Sequence, residues 1–308
     1  MPEFRSHGKF LITGEYFVMK GVPALAVPLK KGQKLTVVPA DDKNILRWDS
    51  FFNGKLQFTS ILKINPLRIV EASDWEVAER LLKLLALARQ MNPDFLAEDT
   101  SLHVVSEADF ESDWGMGSSS TLVSNIAYWA GVDPVRLNAP VFNGSGYDIL
   151  CARASGPLIY RLSGNKPLAR LVSFKPSFAE QIYFVYTGSK TNTRSSLQIH
   201  LEAVLSAPQP LLDQIAGLAD RFVTVTHIEE FEECMHLHER IVGKVLGKTP
   251  VKEERFPDFN GQIKSLGAWD GDFIMVTWKE DFFSLHSYMR KKNAGPVFSF
   301  DELILHDE

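Results

Sequence analysis

The stretch Trp114-Gly-Met-Gly-Ser-Ser-Ser-Thr-Leu122 constrains this chain more than any other. Two glycines and three serines fall within six positions, and Leu122, Val123, Ile126, Ala127 and Ala130 then recur at helical spacing. Glycine reaches backbone conformations closed to other residues and lets a bulky group approach the chain. A helix that starts directly after such a turn aims unpaired N–H groups and the positive end of its dipole at one point. The segment predicts a helix over 119–130 whose mouth suits an anion. Taken alone, it reads first as a serine-capped helix start after a turn.

Around this turn the pattern is mixed. Apolar runs at 10–12, 16–18, 24–27 and 35–38, separated by glycine and proline, predict a meander of strands. Ser73-Asp-Trp-Glu76 reads as a capping box opening a helix to about Gln90, with Val77, Leu81, Leu84, Leu85 and Ala88 as its stripe. A strand at 102–105 leads into the glycine-serine turn, and Pro134 and Pro140 break the chain after helix 119–130. A short helix (149–154), a strand (158–162) and a linker (163–167) follow. Beyond the linker come strand 182–186, loop 187–193, helices 194–206, 209–220 and 227–246, strand 273–278, helix 281–291 and strand 297–300. Strands and helices alternate without βαβ periodicity, which predicts an α+β chain of two domains, 1–165 and 166–308.

Composition removes several classes of function. A net charge of −5 argues against nucleic acid as a partner. No apolar run approaches the ~18 residues of a membrane span, so no membrane partner is expected. Two cysteines, Cys151 and Cys234, are too few for a disulfide framework and point to a cytoplasmic location.

Three further segments carry chemistry. Gly8-Lys-Phe-Leu-Ile-Thr-Gly-Glu15 sets Lys9 and Glu15 at the two ends of one strand. Gly144-Ser-Gly-Tyr-Asp148 puts a carboxylate at the mouth of a helix, where N–H groups orient it. Lys264-Ser-Leu-Gly-Ala-Trp-Asp-Gly-Asp272 is a turn-rich run just before a strand.

In this order, the four segments resemble the motifs of the GHMP kinase superfamily, and the resemblance spans about residues 8–278. Gly144–Asp148 and Thr187-Gly-Ser-Lys-Thr-Asn-Thr193 are most similar to the phosphomevalonate and mevalonate kinases, within a bacterial subgroup carrying a glycine-tyrosine-aspartate signature. The resemblance implies a two-domain GHMP-kinase-like fold. Its N-terminal domain would be like domain 2 of ribosomal protein S5 and bind nucleotide; its C-terminal domain would be ferredoxin-like, with the acceptor in the cleft between the two. It further implies an ATP- and Mg²⁺-dependent kinase, monomeric or homodimeric, acting on an anionic small molecule. Phosphomevalonate in isoprenoid precursor synthesis is the first choice. Mevalonate, a sugar or an amino alcohol are alternatives, as are a nucleotide-dependent decarboxylase of the same fold and a non-catalytic nucleotide- or metabolite-binding homologue.

The residue roles come from the same resemblance. Gly115, Met116, Gly117, Ser118, Ser119 and Ser120 would bind ATP, with the Ser119 hydroxyl also on Mg²⁺. Asp148 would be the catalytic base, and Lys9 would orient the attacking oxygen. Glu15, Ser145, Gly146, Lys190, Thr193, Gly267 and Ala268 would bind the acceptor, and Lys190, Arg194 and Lys264 would neutralise its phosphate.

The chain also departs from the family pattern. Trp269 and Asp270 replace glycines of the C-terminal motif, so Trp269 is expected to fill space where substrate would approach. Residues 120–147 hold no glutamate to serve as a second metal ligand, so that ligand is unassigned, with Asp270 one candidate substitute.

Other patterns read as structural. Gly243-Lys-Val-Leu-Gly-Lys-Thr249 is one residue short of a P-loop and follows a helix, not a strand. Cys234, His236 and His238 do not share one helical face. Lys30, Lys31 and Lys34 are expected on a solvated strand edge.

Overall fold

The computed structural model describes the chain except residues 98–99, 143, 165, 189–199, 268, 270–271 and 307–308. The chain forms two compact units that interleave in sequence. One comprises Met1–Gly8, Lys31–Ser112 and Met116–Arg153, the other Lys9–Lys30, Asp113–Gly115 and Ala154–Glu308. Strands β1 (Glu3–Leu11) and β2 (Ala24–Pro39) each begin in one unit and end in the other.

In the first unit, the C-terminal half of β2 is followed by β3 (Ile45–Phe52), β4 (Lys55–Lys63), β5 (Arg68–Ala72) and β6 (Leu102–Ala108). The strand order is β5-β4-β3-β6-β2, antiparallel except for the parallel β3–β6 pair. The β3–β4 turn is Asn53-Gly54, with φ of 46° and 75°. A two-residue hairpin needs this left-handed pair to match the twist of its strands.

Leu35, Val37, Leu46, Trp48, Phe58, Leu62 and Val104 belong to one apolar core. Helix α1 (Trp75–Met91) contributes Ala78, Leu81, Leu84, Leu85 and Ala88 to that core; α2 (Ser118–Ala130) contributes Val123, Ile126, Ala127 and Ala130. Each large side chain removed from water this way is worth about 1.5–3 kcal/mol, which holds α2 in place. Buried hydrogen bonds set its rotation. Thr121 Oγ1 donates to Gln33 Oε1 (2.8 Å), Asn125 Nδ2 to the Gln33 carbonyl (2.9 Å) and Ser6 Oγ to Asn125 Oδ1 (2.7 Å). Helices α3 (Pro134–Phe142) and α4 (Tyr147–Cys151) complete the unit.

Several local expectations change. Residues 16–18 are not a strand: they lead into a 3₁₀ turn, Phe17–Lys20, closed by left-handed Gly21. The runs at 24–27 and 35–38 belong to one strand, β2. Its Pro28 falls between the ladders at 24–26 and 33–39, so the missing N–H costs neither ladder a bond. The cap of α1 is Asp74, whose carboxylate accepts the Val77 N–H at 3.1 Å. Ser73 instead exchanges hydrogen bonds with the Thr59 backbone. Pro134 opens α3 rather than breaking the chain, because a proline in the first turn removes no helical bond; Pro140 sits near the helix end. Lys30, Lys31 and Lys34 lie on β2, an interior strand. Lys30 and Lys31 donate to backbone carbonyls of Asp301 and Asp109, and Lys34 pairs with Glu107.

In the second unit, Ala24–Ala26 of β2 pair with β7 (Leu158–Ser163), which pairs with β8 (Lys166–Leu171). Ser163 opposes Lys166 in the β7–β8 ladder, so the expected linker at 163–167 begins and ends in paired strands. A second sheet holds β9 (Ile182–Tyr186), β10 (Ile263–Ser265), β11 (Phe273–Thr277) and β12 (Val297–Ser299). Its order is β10-β11-β9-β12, antiparallel throughout. The helices with full bounds here are α5 (Gln209–Thr224), α6 (Ile228–Leu246), α7 (Val251–Arg255), α8 (Phe282–Lys291) and α9 (Phe300–Leu303). α5 buries Leu212, Ile215, Leu218 and Phe222; α6 buries Phe231, Cys234, Met235, Ile241 and Val242, together with His238 and Glu239. No helix among the described residues is long and apolar enough to cross a membrane.

Candidate active site

The first unit carries an open helix mouth. Gly117, at φ 92°, is the N-cap of α2, and no side chain caps the helix. The first N–H groups of α2 therefore converge on one point without a capping oxygen, which favours an anion there. The three serines divide their work. Ser120 is buried and its hydroxyl donates to the Gly117 carbonyl (2.8 Å), Ser118 is half-buried, and Ser119 is exposed. Met116, 1% exposed, anchors the turn. Left-handed Gly146 (φ 79°) opens α4, behind buried Ser145, and places Asp148 half-buried in its first turn. Asp148 Oδ1 accepts the Ile149 N–H at 3.1 Å, which orients the carboxylate.

The second unit holds the residues just before that mouth. Tyr186 donates its hydroxyl to Asp113 Oδ2 (2.9 Å), and Trp114 packs among Tyr186, Phe273 and Phe298. Burial, then the bond to Asp113, push the Tyr186 phenol up to about 12. Lys9 Nζ donates to the Gly115 carbonyl at 3.2 Å. Gly115 has φ 63°, and a Cβ there would sit 2.2 Å from Asp272 Oδ2. Only glycine meets both demands. Asp272 ends the β10–β11 hairpin loop that Gly267 (φ 67°) begins; its own carbonyl accepts the Thr187 N–H (2.8 Å).

Behind this loop lies a buried polar cluster, which revises two sequence expectations. Glu15 is 1% exposed, and its carboxylate meets Lys264 Nζ (2.6 Å) and His238 Nε2 (2.9 Å). It is enclosed by protein partners and presents no face to an acceptor. Lys264 is fully buried and also donates to the Ser265 carbonyl (2.7 Å). Its charge is spent on Glu15, not on an acceptor phosphate. Burial pushes Glu15 up, but the charges and hydrogen bonds of His238 and Lys264 outweigh this and hold it below the usual range. Burial lowers His238, and its Nε2, 2.9 Å from the Glu15 carboxylate, also accepts the Gly14 N–H at 3.2 Å.

Trp269 is also revised. It does not fill the loop's open side: it turns inward, 5% exposed, and donates Nε1–H to Glu239 Oε1 at 2.9 Å. Glu239 also receives the Ser265 N–H (3.1 Å) and lies 3.2 Å from Ser265 Oγ. Burial raises its carboxyl to about 7 from an ordinary 4.5. Between those values the folded chain keeps a proton that the unfolded chain has released. Glu239 is thus expected to favour the fold fully below about pH 4.5 and to lose roughly 3 kcal/mol of that stability as pH rises to 7. Urea unfolding across this range checks it: Glu239→Gln should flatten the decline, and an equal slope in both chains contradicts the assignment.

Lys190, Thr193, Arg194, Ala268 and Asp270 lie outside the described residues. Among the described residues, no three His, Cys, Asp or Glu side chains are grouped to hold a metal ion. Cys234 and His238 share the buried face of α6 while His236 is exposed. Sequence reading missed the close approach of Asp272 to Gly115 and the burial of His238 and Glu239 beside Glu15 and Trp269. The adjacent His238-Glu239 pair on an otherwise apolar helical face was the available signal.

No protein-family model and no curated protein sequence matches this chain. Solved structures match over its whole length. A mevalonate kinase from Methanococcus jannaschii has TM-score 0.72 at 13% identity, covering 99% of this chain and 98% of that one. A phosphomevalonate kinase from Streptococcus pneumoniae, in complex with phosphomevalonate and AMPPNP, has TM-score 0.71 at 15% identity, covering 97% and 100%. A galactokinase from Lactococcus lactis, complexed with galactose, has TM-score 0.68 at 10% identity, covering 98% and 93%. The chain has the α+β fold of the GHMP kinases, as the motif order implied.

Proposed function

We propose that this protein is an ATP-dependent small-molecule kinase of GHMP type. One observation carries the reading: the mouth of α2 is uncapped, glycine-turned and bordered by the exposed Ser119 hydroxyl. Phosphoryl transfer depends mainly on positioning and charge neutralisation. Backbone N–H groups over 115–120 would cradle the ATP phosphates. Ser119 Oγ is a hard oxygen donor of the kind Mg²⁺ accepts, and bound Mg²⁺ would supply charge neutralisation at the transferred phosphoryl oxygens. Asp148 would take the proton from the acceptor's attacking oxygen, and Lys9 would orient that oxygen; Ser145, Gly146 and Gly267 would contact the acceptor. The nucleotide is assigned to the turn at 115–120 and to helix α2, which follows it.

Phosphomevalonate is the proposed acceptor, on the strength of Gly144–Asp148 and Thr187–Thr193, and the site of action is a cytoplasm. Mevalonate is the runner-up. Coupled ADP release with MgATP against phosphomevalonate, mevalonate, galactose and homoserine tests this. Turnover is expected with phosphomevalonate. Turnover with mevalonate alone would overturn the acceptor, and ATP binding without turnover on any acceptor would overturn the kinase.

A further inference from the structure

A cavity of about 360 Å³ lies within the second unit, and of its lining residues only Thr187 belongs to a segment on which the proposed acceptor rests. Lys248, Thr249 and Arg255 line it, together with Thr187, Trp269 and the carboxylate-bearing Glu254. Lys248 and Thr249 come from the run 243–249, whose P-loop likeness the fold does not use.

The walls are set before any ligand arrives. Left-handed Gly247 (φ 66°) ends α6 and turns the chain back, and the Lys248 N–H closes onto the Gly243 carbonyl at 2.9 Å. Arg255 Nη2 donates to the Thr187 carbonyl at 3.1 Å, which leaves most of the five N–H donors of a guanidinium for other partners. Glu239 holds the Trp269 indole at 2.9 Å. Gly243 makes room for it, since a Cβ there would lie 3.0 Å from Trp269 Cη2. Preformed walls of this kind reduce the ordering cost of binding.

Lys248 and Arg255 both line the cavity, and Glu254, the carboxylate of the lining, is exposed. An arginine fork beside a lysine point charge suits a phosphate, which accepts several charge-assisted hydrogen bonds at once. Val251, Ile274 and the Trp269 ring supply apolar wall, and the volume is that of a small-metabolite site. We propose that this cavity binds a small organic phosphate, with Lys248 and Arg255 on the phosphate and Trp269 against the carbon body.

The test is a titration with inorganic phosphate and with glycerol 3-phosphate, read by tryptophan fluorescence and by calorimetry. Both ligands are expected to change the emission of the wild-type chain and not that of Trp269→Phe. Lys248→Met and Arg255→Met are each expected to weaken both ligands by about tenfold or more, the loss of one charge-assisted contact. Glycerol 3-phosphate should bind more tightly than inorganic phosphate. The proposal is overturned if no Trp269-dependent signal appears, or if both cation variants bind with wild-type affinity, as binding only at the 115–120 loop would produce. Glycerol 3-phosphate binding no tighter than inorganic phosphate overturns the organic-phosphate assignment. Should a cation variant fail to fold, Thr249→Val, at an exposed hydroxyl, is expected to weaken binding several-fold, and unchanged affinity there counts against the site. ATP turnover enters no arm, so failure of the kinase reading leaves this result intact.

Discussion

Lys264→Met is expected to lower the unfolding free energy by about 3–5 kcal/mol, the cost of leaving a buried charge without its partner. The 2.6 Å pair with Glu15 is enclosed by protein on all sides, at 0% and 1% side-chain exposure. Without Lys264, the buried Glu15 carboxyl loses the ammonium 2.6 Å away, so it must either ionise at high cost or take up a proton. The loss is a large share of the 5–15 kcal/mol that holds a typical domain folded. Urea unfolding at pH 7 measures it. A double variant, Glu15→Leu with Lys264→Met, should recover much of the loss, because removing both charges abolishes the desolvation cost together with the attraction. A single variant as stable as the wild type would show that Lys264 is not held as a buried cation.

Asp148→Asn is expected to fold normally and to lose at least about two orders of magnitude in turnover, the usual contribution of a general base. The substitution is nearly isosteric, and the asparagine side-chain oxygen still accepts the Ile149 N–H that Asp148 Oδ1 accepts at 3.1 Å. Unchanged melting with lost kcat and a near-constant KM is the pattern of a group that acts in the transition state alone. Near-wild-type turnover would remove Asp148 from the reaction.

Periodicity made the long helices legible. The stripes of α1 and α6 and the start of α2, one residue earlier than expected, all follow from apolar spacing. The strands over 45–72 were not read, although Asn53-Gly54 is a strong hairpin signal. Pro28, exposed Lys30 and the Lys31-Gly32 pair interrupt the apolar pattern of β2, which explains why its two runs passed for separate strands. Proline proved a weaker breaker than local reasoning assigns, at Pro28 between two ladders and at Pro134 in a first helical turn.

The sequence by itself determined the glycine-serine turn before α2, the glycine turn that presents Asp148, and the order of motifs that matches the GHMP kinase fold. These are local features, written in neighbouring residues whose backbone demands do not depend on distant partners. Tertiary structure alone decided what the charged residues face. Glu15 and Lys264 are 249 positions apart, and Trp269 meets Glu239 across another 30. No spacing rule relates them. Burial in a low-dielectric interior drives each charge or polar group to whichever partner the packed chain brings within reach. That is why two residues expected at an acceptor are structural, and why Trp269 points into the protein instead of across the loop.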